Sequence, residues 1–81
     1  LEGSVFTNKN TEGYPGKRFV GGCELADQAE LLALERVKKV FGAEHANIQS
    51  GNATIANCAV LTGLLERGDT FLGLTLDNGA I

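Results

Sequence analysis

Histidine and cysteine are scarce in this sequence: His45 stands alone, and Cys23 and Cys58 lie thirty-five positions apart with no C-x-x-C pair. A zinc site needs a set of nitrogen and sulfur ligands, and a secreted disulfide scaffold needs a denser cysteine framework, so neither is read here. The two cysteines read instead as free thiols of a reducing compartment, and the protein as cytoplasmic. No apolar run approaches the roughly 20 residues that span a bilayer. The first residues hold no basic segment followed by an apolar one, so no secretory signal is read. The chain opens at Leu1 rather than methionine, which points to a piece of something longer. Basic residues are also few. A net charge of −3 and a pI near 4.9 argue against a dedicated binder of nucleic acid or of an anionic membrane, either of which needs a basic face to release counterions. Methionine and tryptophan are absent, yet 43% apolar and 21% charged residues exclude disorder and fibre, leaving one small globular domain at most. A chain of this length buries only about 60% of the surface its unfolded form exposes, so any missing piece of core matters.

What the sequence does have is glycine. "NKNTEGYPGKRFVGGCE", residues 8–24, holds four of the eleven glycines and the only proline, together with Lys9, Glu12, Lys17 and Arg18. Pro15 and Gly16 form a turn pair, and the glycines break both helical and strand periods, so residues 1–22 read as an irregular arm. A short strand is expected at residues 4–7. This part carries three bases against two acids, whereas residues 23–81 hold eight acids against four bases. The arm is thus mildly basic and suited to a small anion.

From Cys23 the pattern becomes helical. Leu25, Ala29, Leu32, Ala33, Val37, Val40 and Phe41 recur at spacings of three and four. Glu24 and Asp27 begin this helix and Lys38 and Lys39 end it, as the macrodipole favours, and Gly42 supplies a left-handed stop. "HANIQS", residues 45–50, is short enough for a strand. A second helix is expected near Ala53, capped by Ser50 or Asn52. Its apolar residues lie nearly all round, so it requires cover on most sides. "TFLGLTL", residues 70–76, reads as a buried strand. The order loop, helix, strand, helix, strand defines an α/β unit whose last three elements form a β-α-β crossover, with residues 23–81 as its partial α/β domain.

Two places can carry chemistry. The turn at Gly51 leads into a helix start whose free N–H groups favour phosphate, although Ser50 and Asn52 can equally be simple caps. Glu12 is the only carboxylate among the glycines, between residues 8 and 23, and can serve as an acid or base if held near a substrate, or else be a solvated surface acid. His45 has no second ligand at useful spacing. "RGD" at 67–69 falls at a helix-to-strand turn and reads as a chance tripeptide. No Gly-x-Ser-x-Gly, Walker or Rossmann pattern is present.

Taken together, "TNKNTEGYPGKRFVGGCE", "RVKKVFGAEHANIQ" and "GDTFLGLTL" closely resemble the serine hydroxymethyltransferase family, from residue 3 to residue 79. The resemblance implies part of the large domain of a pyridoxal-phosphate-dependent transferase of the aspartate aminotransferase fold. It implies exchange of a one-carbon unit between serine and tetrahydrofolate, giving glycine and methylene-tetrahydrofolate. It also implies that the arm reaches into a neighbouring subunit's site, making a homo-oligomer or a full-length homologue the partner. Glu12 matches the family's catalytic glutamate, and Asn52, Ala53 and Thr54 its cofactor-phosphate turn. This sequence departs from the pattern at several places. Asn10 and Val20 stand where the family has active-site tyrosines, Ala53 where it has glycine, and Ile81 where it has the histidine that stacks on the pyridine ring. Nothing here matches the lysine that forms the Schiff base, so the chain alone is expected to be inactive. Because the family's sheet does not make these two strands neighbours, the isolated chain is expected to be marginal, oligomeric or differently paired. A pyridoxal-phosphate enzyme of altered reaction and a non-catalytic module docking on a homologue are the alternatives.

Overall fold

A computed structural model describes residues 2–80; Leu1 and Ile81, and with them the expectation for Ile81, lie outside the described residues. The chain divides into two units, Leu1–Gln49 and Ser50–Ile81.

In the first unit the expected strand at residues 4–7 is a short 3-10 helix, Val5–Asn8. Ser4 decides this locally: its Oγ accepts from the Phe6 N–H at 3.4 Å, and its carbonyl accepts from both the Thr7 N–H and the Thr7 hydroxyl. A serine that satisfies the next turn in this way favours a cap over a strand. The irregular arm contains a small antiparallel hairpin, β1 (Gly13–Tyr14) and β2 (Lys17–Arg18), paired Gly13 to Arg18 and Tyr14 to Lys17 across Pro15 and Gly16. Gly13 is required there. Its φ of +107° lies where side chains are strained, and a Cβ would overlap the Lys17 carbonyl oxygen.

Helix α1 spans Glu24–Phe41, as the apolar period predicts. Gly42 ends it at φ +61°, its N–H reaching the Lys38 carbonyl, and the Ala43 N–H adds a second bond to the same oxygen at 3.0 Å. Residues 45–50 form no strand; there the Asn47 side chain accepts from the Gln49 N–H at 2.8 Å.

In the second unit helix α2 spans Ala53–Leu64, and Asn52 rather than Ser50 is its cap. The expected strand at 70–76 is absent: these residues are irregular as far as a short 3-10 turn, Leu76–Asn78. The β-α-β crossover is therefore not formed. A strand exists through its hydrogen-bonding neighbour, and among the described residues only β1 and β2 have one. The α/β reading thus holds at the level of two helices and one two-stranded sheet.

Burial follows the same logic. Cys23 is the only buried residue among the described ones, its thiol lying 3.4 to 3.8 Å from the carbonyl oxygens of Val20, Asn10 and Gly21. The apolar face of α1 stays largely open, with Val40 and Phe41 exposed, and α2 leaves Ile55, Val60, Leu61 and Leu64 uncovered within its own unit. The sequence period is right, but within each unit little packs against the apolar face. No helix among the described residues is long and apolar enough to cross a membrane.

Candidate functional site

Arg18 organises the glycine-rich stretch. From β2 its guanidinium donates through Nε to Asp27 Oδ1 at 2.7 Å and through Nη2 to Glu30 Oε2 at 2.6 Å. Asp27 and Glu30 lie one helical turn apart on α1, so their carboxylates share a face and present two acceptors to one planar fork. The Nη1 group donates to the carbonyls of Thr11 at 2.7 Å and Gly13 at 2.6 Å. Gln49 closes the cluster, its Nε2 donating to Glu30 Oε1 at 2.7 Å and to the Gly13 carbonyl at 3.1 Å. The Arg18 side chain is only 6% exposed, so most of its charge is answered by protein rather than water.

The electrostatics agree. Hydrogen bonds donated to Glu30 and then to Asp27 hold the Arg18 guanidinium above its ordinary value. The Gly16 N–H, and after it Arg18, hold the Asp27 carboxyl below its ordinary 3.8.

Glu12 sits between the two carbonyls that Arg18 grips. Its N–H donates to Asn10 Oδ1 at 3.1 Å and its carbonyl accepts from the Phe19 N–H at 3.0 Å. The backbone of residue 12 is thereby fully engaged, while the residue itself is exposed and borders an open cleft of 460 Å³ with Lys9, Asn10 and Gln49. Asn10, in a position where the resemblance implies tyrosine, is used as this local brace. Val20 is half-buried, with its carbonyl beside the Cys23 thiol.

Asn52, Ala53 and Thr54 belong to the second unit, and Glu12 to the first. The Asn52 Oδ1 accepts from the Ile55 N–H at 2.9 Å, and its carbonyl accepts from the Ala56 N–H at 3.1 Å. The N–H groups of Ala53 and Thr54 open the helix and have no intrahelical acceptor. All three residues are exposed, and the first turn holds no acidic side chain. This donor set, two N–H groups and a hydroxyl at a helix start, has the chemistry of a phosphate seat. Ala53 adds one methyl group to it and removes no donor.

Lys9 Nζ donates to the Gly21 carbonyl at 2.6 Å, Lys17 lies in β2, and Lys38 and Lys39 close α1. Among the described residues no group of three His, Cys, Asp or Glu side chains is arranged to hold a metal ion. Sequence reasoning named Glu12 and the α2 start but missed the Arg18 fork. Its readable signal was the pair of acids one turn apart on α1, facing an arginine nine and twelve positions earlier.

Comparison with known proteins agrees with the motifs. The family model described as serine hydroxymethyltransferase matches residues 1–81. A serine hydroxymethyltransferase of Alkalilimnicola ehrlichii is 58% identical over 78 residues, which cover 96% of this chain and 19% of the relative. Serine hydroxymethyltransferase 2 of Burkholderia pseudomallei is likewise 58% identical over 78 residues, and the Phenylobacterium zucineum serine hydroxymethyltransferase is 55% identical, each with 96% of this chain and 18% of the relative covered. The chain thus spans under a fifth of the length of these curated relatives. It belongs to the serine hydroxymethyltransferase family.

Proposed function

We propose that the chain forms part of a pyridoxal-phosphate-dependent enzyme that moves a one-carbon unit between serine and tetrahydrofolate, and that the chain alone is inactive. The observation that carries this reading is the start of α2: Asn52 caps the helix, leaving the Ala53 and Thr54 N–H groups and the Thr54 hydroxyl to receive the cofactor's phosphate. When bound, the cofactor supplies an electron sink at the substrate's α-carbon. Glu12, braced in backbone and exposed in side chain, moves the proton of the serine hydroxyl as the hydroxymethyl group leaves or arrives. Its outward position suits an arm that completes the pocket of a second copy or of a full-length homologue. Free Cys23 and Cys58 suit a reducing, cytoplasmic setting.

Inactivity of the isolated chain rests on the resemblance, since none of Lys9, Lys17, Lys38 and Lys39 matches the family's Schiff-base lysine. A retro-aldol assay on serine with added cofactor is expected to give no turnover; cofactor-dependent glycine formation overturns this. The phosphate seat is tested in the full-length Alkalilimnicola ehrlichii relative carrying this chain in place of its matching segment. There Thr54→Val weakens cofactor binding about tenfold, since a hydrogen bond to a charged group is lost. Unchanged affinity removes the seat.

A second reading, a non-catalytic module docking on a homologue, is favoured by exposed apolar side chains such as Leu72, at 99% exposure, and Leu64. Co-purification with a full-length relative, without gain or loss of its turnover, would select that reading.

A further inference from the structure

We infer that Arg18 is a positioning residue for Glu12, an assignment that rests on the reading of Glu12 as the acid or base. The guanidinium holds the carbonyls of Thr11 and Gly13, the residues on either side of Glu12, through a single nitrogen, Nη1. Its remaining nitrogens are fixed on Asp27 and Glu30 of α1. Glu12 is therefore suspended between two points tied to one rigid plane, and that plane is tied to α1, the longest helix among the described residues. The Phe19 N–H, from the residue after Arg18, takes the Glu12 carbonyl itself at 3.0 Å. The backbone that carries the carboxylate is thus set by α1, through an arginine that makes no hydrogen bond to the carboxylate itself.

The geometry demands arginine. Four directed N–H bonds leave three nitrogens in one plane, two to carboxylates and two to carbonyls. A lysine keeps the charge but is a point donor that cannot span the carboxylates and both carbonyls at fixed angles. Arg18→Lys is therefore expected to keep the arm near α1 while letting the Glu12 peptide drift, and a drift of an ångström at a reacting group costs up to about 100-fold in rate.

The test is a double-mutant cycle in the same full-length chimera, with kcat and KM for serine measured for the parent, Arg18→Lys, Glu12→Gln and the pair. Arg18→Lys is expected to lower kcat about 10- to 100-fold with KM nearly unchanged. In the Glu12→Gln background it is expected to cost nothing further. An equal fold-loss in both backgrounds overturns the inference, because Arg18 then serves only the fold, and the Glu12 reading stands if Glu12→Gln alone loses most of its kcat while keeping measurable turnover. Full turnover by Glu12→Gln instead identifies the Glu12 reading as what failed. If Arg18→Lys does not fold, the Asp27→Asn, Glu30→Gln pair loosens the same guanidinium and carries the same cycle. Hydrogen exchange at the Phe19 amide needs no turnover: it should quicken at least about tenfold on loosening Arg18, and unchanged exchange counts against the inference.

Discussion

Arg18 and Asp27 meet across the hairpin-to-helix junction at 2.7 Å, and the second Asp27 oxygen takes the Gly16 N–H at 3.0 Å. One carboxylate on α1 thus holds both the turn and the second strand of the hairpin. The Gly16 bond and then the Arg18 bond favour the charged form, so the folded chain releases the Asp27 proton more readily than the unfolded chain does. Stability from this group is complete above the ordinary value of 3.8 and is lost as pH falls through the lower folded value. Protection of the Phe19 amide should therefore be flat from neutral pH to about pH 5 and decline below 3.8. In Asp27→Asn the part of that decline due to Asp27 should vanish, with protection lower throughout. A decline that persists unaltered in the variant would mean that other carboxylates carry it.

Gly13 is the steric key of the hairpin. A methyl group there meets the Lys17 carbonyl and the Arg18 Cα, and the backbone is already at φ +107°. Gly13→Ala should cost about 2 kcal/mol or more, combining backbone strain and displacement of the Lys17 carbonyl with disturbance of Gly13's own carbonyl, which accepts from both Arg18 and Gln49. Gly3→Ala, with open space around it, should stay within about 0.5 kcal/mol. Denaturant unfolding of the two variants makes the comparison, and equal costs would rule out the steric argument.

The contrast between helices and strands explains what the sequence could reveal. The period of α1, its Gly42 stop and the Asn52 start of α2 are local signals, written in residues that touch one another within a turn. "TFLGLTL" has the apolar content of a buried strand, but strandedness depends on a neighbour that no residue in the run can specify. Two-residue strands such as β1 and β2 have no period to detect; only Pro15 and Gly16 announce them. Glu12 was readable because it is the lone acid among glycines. Arg18 was not singled out because its four acceptors come from three separate places, the loop, β1 and α1.

Cap and phosphate seat can be separated at Asn52. Asn52→Ala removes the bond to the Ile55 N–H and should destabilise α2 by about 1 kcal/mol, seen as reduced helical circular dichroism. Asn52→Asp caps as well or better, so helicity should be retained. A carboxylate beside the Ala53 and Thr54 N–H groups nevertheless repels a phosphate. In the full-length chimera Asn52→Asp should therefore weaken cofactor binding while leaving the helix intact. Parallel loss or parallel retention of both properties would contradict a seat at this turn.

The two cysteines should differ sharply in reactivity. Cys23 is buried, with three carbonyl oxygens around its sulfur, whereas Cys58 is exposed on α2. A thiol reagent attacks the thiolate, so Cys23 must first be uncovered by local opening of the loop that carries Asn10, Val20 and Gly21. Under native conditions Cys58 should be labelled promptly and Cys23 slowly, and in denaturant both should react together. Loosening the Arg18 fork should accelerate Cys23 selectively, because the loop over the thiol is continuous with the hairpin that Arg18 holds. Cys58→Ser isolates the slow phase for that measurement. Equal native rates for the two thiols would show that the loop around Cys23 is open in solution, and the ordered arm on which the Glu12 geometry depends would go with it.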